Sequence, residues 1–404
     1  MVTLDSIKID NQYLRSLLEE MIKIDSRLGQ ESNLAQFLGV EAEKLGLEIC
    51  FDEVAPNREN LYAKYSFSDT GETITFNGHS DTVDVCEGWT FDPFSPSEED
   101  GKLFGLGSVD QKAGLACQLT AIKSLIESDE KLNGTIHFTA VVDEEGYGSG
   151  AAKMLRNEYF GKGNTSAVII SEPCYGDSQK NALPLGMTGK VLYKITVKGQ
   201  SAHAFRPELG INAISDASKI VNAIENIMND SDKSFFGFKL PYDDDFGYGS
   251  FCILKIEGGY KIYSVVVPEH CEIILNRLTT PKENRNTVEK DMLELIANLR
   301  LKSNVRLEIV PPFYYSYKLS KDTKLFRIVD KTYQDIFNIH PYTTYLNMIT
   351  DANAFMGEGG IPTINFGPKG DNLHAPDEYV EISTLEPTAQ FYSEFYYNYQ
   401  KEKE

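Results

Sequence analysis

Apolar residues recur at helical spacing over residues 11–25 and 31–46, so the chain is expected to open with two amphipathic helices, the second ended by Gly46. Strand-like runs follow at Leu61 to Phe67 and Thr73 to Asn77, and the second leads directly into a polar turn, NGHSDTVD. A loop rich in Gly, Pro and acid (84–107) separates that turn from GLGSVDQKAGL and a helix from about Ala113 to Ile126. Two more β-like runs, Thr135 to Val142 and Ser166 to Ile170, stop at DEEGYGSG and at Ser171, Glu172 and Pro173. Strands that end in polar residues, joined by long loops and helices, suit an α/β sheet whose strand ends line a crevice.

From Lys190 the pattern changes. KVLYKITVKG reads as a strand, Ile211 to Met228 as a helix, Phe251 to Ile256 and Glu272 to Leu278 as strands, Thr287 to Leu299 as a helix and Val305 to Val310 as a strand. That order, β-α-β-β-α-β, is the ferredoxin-like unit. Helices then resume (Asp322 to Phe337 and 382–398) around a short strand, Pro362 to Phe366, that runs into GPKGDNLHAPDEYV. The fold class is therefore α/β with a mixed sheet and an inserted second domain: 1–186 and 313–404 form one domain and 187–312 the other. A length of 404 residues, beyond one ordinary core, agrees with two domains.

A net charge of −21 argues against nucleic acid or an anionic membrane as partner, because both demand a basic surface. The N-terminal stretch MVTLDSIKIDNQYLRSLLEEMIKID carries charges throughout, and no run of about 18 apolar residues occurs, so a soluble cytoplasmic protein is expected. The charged tail Lys401 to Glu404 is expected to fray. Six scattered cysteines without CxxC spacing support neither a disulfide framework nor a thiolate zinc site, and most are expected to be buried apolar groups.

The polar residues just beyond the apolar runs are His79, Asp81, Asp110, Glu144, Glu145, Glu172 and His374. Two imidazoles and several carboxylates suit hard or borderline divalent cations, zinc first, with cobalt or manganese as substitutes. Three carboxylates and a hydroxide neutralise two such ions, whereas a single ion leaves costly buried negative charge. Asp81 lies close enough to His79 in sequence to fix its tautomer.

The series HSDTVD, GSVDQKAGL, VVDEEGYGSG, SEP and LHAPDEY, with SAHAFRPELGINAI in the inserted domain, resembles the co-catalytic zinc amidohydrolases over nearly the whole chain. That family includes acetylornithine deacetylase, succinyl-diaminopimelate desuccinylase, aminoacylase and bacterial glutamate carboxypeptidase. The resemblance implies two zinc ions, one held by His79 and Glu172, the other by Glu145 and His374, with Asp110 bridging and Asp81 supporting His79. Glu144 becomes the general base, acting on a water activated between the metals. His203, in the inserted lid, is implied to stabilise an oxyanion, from a partner subunit of a homodimer formed through that domain. Asn212 and Arg277 match lid positions that bind a substrate carboxylate, and a cis peptide follows the bridging Asp in relatives. Two positions stand apart: the family often has another residue type where Gln111 stands, and Asn353 in TDANAF falls where some members read substrate.

The activity implied is hydrolysis of the amide of an N-acyl amino acid, a small-molecule substrate. A dipeptidase or carboxypeptidase acting on short peptides is the alternative within the family, and a metal-binding interaction protein without catalysis is the alternative outside it.

Overall fold

The computed structural model describes residues 7–402 apart from 159, 162, 263 and 264, so the first six residues of the opening stretch and the last two of the charged tail lie outside the described residues. The chain divides into two compact units: 1–185 with 319–344 and 350–404, and 186–318 with 345–349.

The first unit is built on a six-stranded mixed sheet in the order Glu48–Ala55, Arg58–Ser66, Thr135–Val141, Thr73–His79, Ala167–Ile170 and Thr363–Asn365. The last four run parallel and the first two antiparallel. Every residue from Ile74 to His79 and from Ile136 to Val141 is buried, as expected of parallel strands covered on both faces. The helix Ala113–Glu127 packs on Leu385–Lys401, and aromatic rings fill the space beneath the latter, with Phe366 and Phe391 centroids 4.0 Å apart. The strand Glu48–Ala55 was not anticipated: it is a half-exposed edge strand whose acids blur its alternation. A small sheet of Ser97–Glu99, Lys102–Phe104, Tyr379–Glu381 and Gly370–Asp371 holds up the loop that carries His374.

The second unit has four antiparallel strands in the order Ser250–Gly258, His270–Thr279, Gly189–Lys198 and Asn304–Tyr314. Helices Ala213–Asn229 and Arg285–Asn298 cover one face, where Val191, Tyr193, Ile195 and Val197 alternate inward to join Ile220, Ile224 and Met292. This is the ferredoxin-like order. Residues 313–318 belong to it because its last strand continues to Tyr314.

None of the helices described is long and apolar enough to cross a membrane. The cysteines differ from expectation: only Cys117 and Cys271 are buried among the six, while Cys50, Cys86 and Cys252 are exposed.

Candidate metal centre

Parallel pairing puts the carboxyl ends of three strands on one edge of the first unit's sheet. His79 closes its strand opposite Val141, so the turn carrying Glu144 and Glu145 begins two residues beyond the point where His79 stops. Ala167–Ile170 pairs on the other side of Thr73–His79 and delivers Glu172 to the same edge. Asp110 comes from the loop ahead of Ala113–Glu127, and its peptide bond to Gln111 is cis. These approaches are close. A Cβ on Gly78 would lie 2.5 Å from Gln111 Oε1, and one on Gly114 would lie 2.4 Å from the Ser171 carbonyl, so both positions need glycine.

Two donor sets result, each with ligand atoms within 4.8 Å of one another: His79, Asp110 and Glu172, and Asp110, Glu145 and His374. Asp110 belongs to both. Its Oδ1 lies 3.0 Å from His79 Nε2 and its Oδ2 lies 3.4 Å from His374 Nε2, so one carboxylate divides its oxygens between the two imidazoles. Glu145 Oε1 is 2.8 Å from His374 Nε2.

The tautomer of His79 is fixed by Asp81, chiefly through its backbone: Nδ1–H donates to the Asp81 carbonyl at 2.9 Å, and the Asp81 carboxylate is 3.6 Å away. Nε2 is thereby turned toward Asp110. The Asp81 carboxylate has a second task, accepting the backbone N–H groups of Glu144 at 3.2 Å and Glu145 at 2.8 Å. One residue thus orients a ligand of one set and the turn that serves the other.

The electrostatics are those of a site built for cations. Burial pushes Glu144 and Glu172 well above the usual carboxylate range, aided for Glu144 by the charge of Glu172 and for Glu172 by that of Asp110. Burial also opposes charge on His79, yet the Asp110 hydrogen bond and the charges of Asp81, Asp110 and Glu144 outweigh it and raise its pKa well above normal. Hydrogen bonds to Asp110 and Glu145 raise His374 to about 10. Carboxylates forced to hold protons and imidazoles forced to keep them are both relieved by divalent ions, and the nitrogen and oxygen donors suit such ions. The residues present therefore fit a metal pair. Glu144 belongs to neither donor set.

Two supporting residues, Glu378 and Asp351, were not singled out in the sequence, and Asn353 and Gln111, which were, take supporting parts beside them. Glu378 is buried and accepts N–H groups from Gly107 at 2.8 Å, Val109 at 3.0 Å and Asp110 at 3.0 Å, tying the His374 loop to the Asp110 loop. Its place in LHAPDEY, four residues after His374, was the signal. Asp351 of TDANAF is buried, bonded by Asn77 at 3.4 Å, and its charge bears on Glu144 and Glu172. Its neighbour Asn353 is also buried and accepts the Thr350 N–H at 2.9 Å, which gives it a turn-holding part. Gln111 accepts from the His79 N–H at 3.3 Å and from Ser171 Oγ at 2.8 Å, linking two ligand strands from the departing position.

The three expected lid residues lie in the second unit. His203 is exposed, its Nδ1 accepting the Phe205 N–H at 3.2 Å. Asn212 is the N-cap of Ala213–Asn229, its Oδ1 accepting the Ser215 N–H at 3.1 Å. Arg277 departs from expectation. It is fully buried on the helix-facing side of its strand, paired with Glu283 and, at 3.4 Å, with Asp291, beneath the rings of Phe238 and Phe251. This is an interior ion pair, not an open carboxylate reader, because its charge is already met by the buried Glu283 and by Asp291 at the edge.

Comparison with known proteins gives the family. The family model described as peptidase family M20/M25/M40 matches residues 75–398. A succinyl-diaminopimelate desuccinylase of Sulfurimonas denitrificans is 30% identical over 324 residues, 79% of this chain and 81% of that one. Among solved structures, aminopeptidase PepT of Bacillus cereus superposes with a TM-score of 0.75 at 21% identity, covering 97% of this chain and 100% of that one. YXEP of Bacillus subtilis, described as a dinuclear metal binding peptidase of the M20 family, gives 0.68 at 16%, covering 96% and 97%. With the family model spanning most of the sequence, the chain belongs to peptidase family M20/M25/M40 and is a metal-dependent hydrolase.

Proposed function

We propose that this protein is a two-zinc hydrolase that cleaves the amide of an N-acyl amino acid, in the manner of a desuccinylase or deacetylase, releasing a carboxylate and a free amine. The observation that carries the reading is the pair of donor sets sharing Asp110, with Glu144 left out of both. His79 and Glu172 would hold one ion, Glu145 and His374 the other, and Asp110 both; cobalt and manganese suit the same donors. When bound, the ions supply Lewis acidity toward the amide carbonyl and make water a better nucleophile.

Glu144 does the proton work. Its carboxylate takes a proton from the attacking water as oxygen joins the carbonyl carbon, and returns it to the amide nitrogen as the C–N bond breaks. Burial beside Glu172 raises its proton affinity in the direction this uptake needs. In this reading the lid residues serve substrate as the family resemblance implies, His203 acting from the partner copy of a homodimer on the developing oxyanion and Asn212 binding a substrate carboxylate. The inserted unit then acts as lid and as the contact of a homodimer, which sedimentation would detect. The desuccinylase name of the 30% identical relative favours N-acyl over peptide substrates.

The test is metal content per chain followed by hydrolysis of N-acetyl and N-succinyl amino acids and dipeptides. Two metals per chain and faster N-acyl cleavage are expected. Preference for dipeptides replaces the deacylase with a dipeptidase, and bound metal without turnover of any of them favours an interaction protein. Glu144→Gln is expected to keep its metal and lose about 10² to 10⁴ in kcat.

A further inference from the structure

The turn that presents Glu144 is held from behind by an ion-pair buckle that lies outside the metal ligands. Asp143, at φ 70°, starts the turn, and its carbonyl accepts the N–H groups of Gly146, Tyr147 and Gly148 at 3.3, 3.0 and 2.6 Å. One oxygen of its carboxylate receives Ser149, through both hydroxyl and backbone N–H, and the other receives Arg58 Nη2 at 2.9 Å. Arg58 also grips Glu31, with Nε 3.0 and 3.1 Å from its two oxygens and Nη2 on Oε1. Glu31 is fully buried, and its Oε2 accepts the Gly29 N–H at 2.9 Å. The segment leading to Glu31 is fastened in turn to the His79 loop: Thr82 donates to the Ser26 carbonyl at 3.1 Å and Leu28 donates to Thr82 at 3.0 Å. A continuous path therefore runs from the strand end of His79, through 26–31 and Arg58, to the residue just before Glu144.

We infer that Arg58 is a positioning residue for hydrolysis, fixing the Glu144 turn against the His79 loop by gripping Asp143 and Glu31 together. The inference rests on Glu144 being the general base. A planar guanidinium is required, because one donor group meets two carboxylates along different directions, which a lysine ammonium at the same position does not reproduce. A shift of about 1 Å at the Glu144 carboxylate, small enough for Glu145 on the same turn still to reach its ion, spoils proton transfer, a loss on the order of 10²-fold.

The experiment compares full-length, metal-loaded wild type, Arg58→Met, Arg58→Lys and Glu144→Gln on the fastest-cleaved amide of the panel, recording kcat, KM and metal per chain. Both Arg58 variants are expected to keep two metals and a KM within about threefold of wild type while kcat falls about 10- to 100-fold. Should Arg58→Met not fold, Arg58→Lys decides, since it keeps the charge and removes the fork. An unchanged kcat in Arg58→Lys overturns the inference, and so does a kcat that falls only in step with lost metal. If Glu144→Gln stays active, the general-base reading fails and takes this one with it. If Glu144→Gln is inactive and Arg58→Lys is normal, the positioning role alone fails.

Discussion

Glu378 acts through backbone groups, yet it fixes the shared ligand. Three N–H groups converge on its carboxylate, the last from Asp110, while burial and the Asp110 charge push its pKa up to about 7. Glu378→Gln keeps the shape but replaces one accepting oxygen with a donor that faces N–H groups. The expected cost is about 1 to 3 kcal/mol in chemical denaturation and metal occupancy below two per chain after dialysis; full occupancy and unchanged stability refute the role. The contrast with the ligands shows what a sequence exposes. His79, Glu145 and Glu172 each follow an apolar run, so position alone drew attention to them. Glu378 serves backbone groups 268 to 271 residues away, so its place in LHAPDEY marks it as near the site but does not show which groups it holds. Arg277 was misread for a different reason: strand parity puts it with Cys271, Ile273 and Leu275 on the buried face, and parity outranks a motif match.

The helix Ala113–Glu127 couples packing to chemistry, since it starts three residues after Asp110 and crosses the strand end of Glu172 at Gly114. Alanine inside a helix normally gains up to about 1 kcal/mol over glycine. Here the added methyl would sit 2.4 Å from the Ser171 carbonyl and 2.7 Å from its hydroxyl oxygen, so Gly114→Ala is expected to destabilise by about 1 to 3 kcal/mol and to loosen metal binding at Glu172. The sign of the change in a urea titration decides between local propensity and tertiary contact. Most long helices and central strands were legible from periodicity, because their buried faces are continuous. The edge strand Glu48–Ala55 and the two-residue hairpins between Ser234 and Tyr248 were not, since short or half-exposed strands bury too little to imprint a pattern. Parallel pairing of Thr73–His79 with both flanking strands was legible only indirectly, through the carboxylates gathered at their ends.

The same charges set how stability of the whole protein should answer to pH and to metal. Burial raises Asp81 to about 6, Asp351 to about 7 and Glu378 to about 7, all above their ordinary carboxylate values. A raised folded pKa means the native state binds protons that the unfolded chain releases. Each group then contributes stability in full below about pH 4 and loses it as pH climbs through 6 to 7. His374, raised to about 10 by Asp110 and Glu145, acts with the same sign: its contribution is complete below about pH 6.5 and fades as pH rises through 10. Chelator-treated protein is therefore expected to lose stability from pH 5 to 8. Divalent ions take the place of those protons and bind more tightly as pH rises, so loaded protein should not follow that decline. The Tm difference between loaded and chelated protein, read by scanning calorimetry, should widen from pH 5 to 8. Because His374 is raised to about 10 and His79 lies well above its ordinary value, protons compete for both imidazoles at neutral pH and more strongly as pH falls, so activity and bound metal should fall together on the acid side. A Tm difference that narrows with rising pH, or a rate that stays flat down to about pH 4, would mean that these imidazoles and carboxylates do not hold the metal.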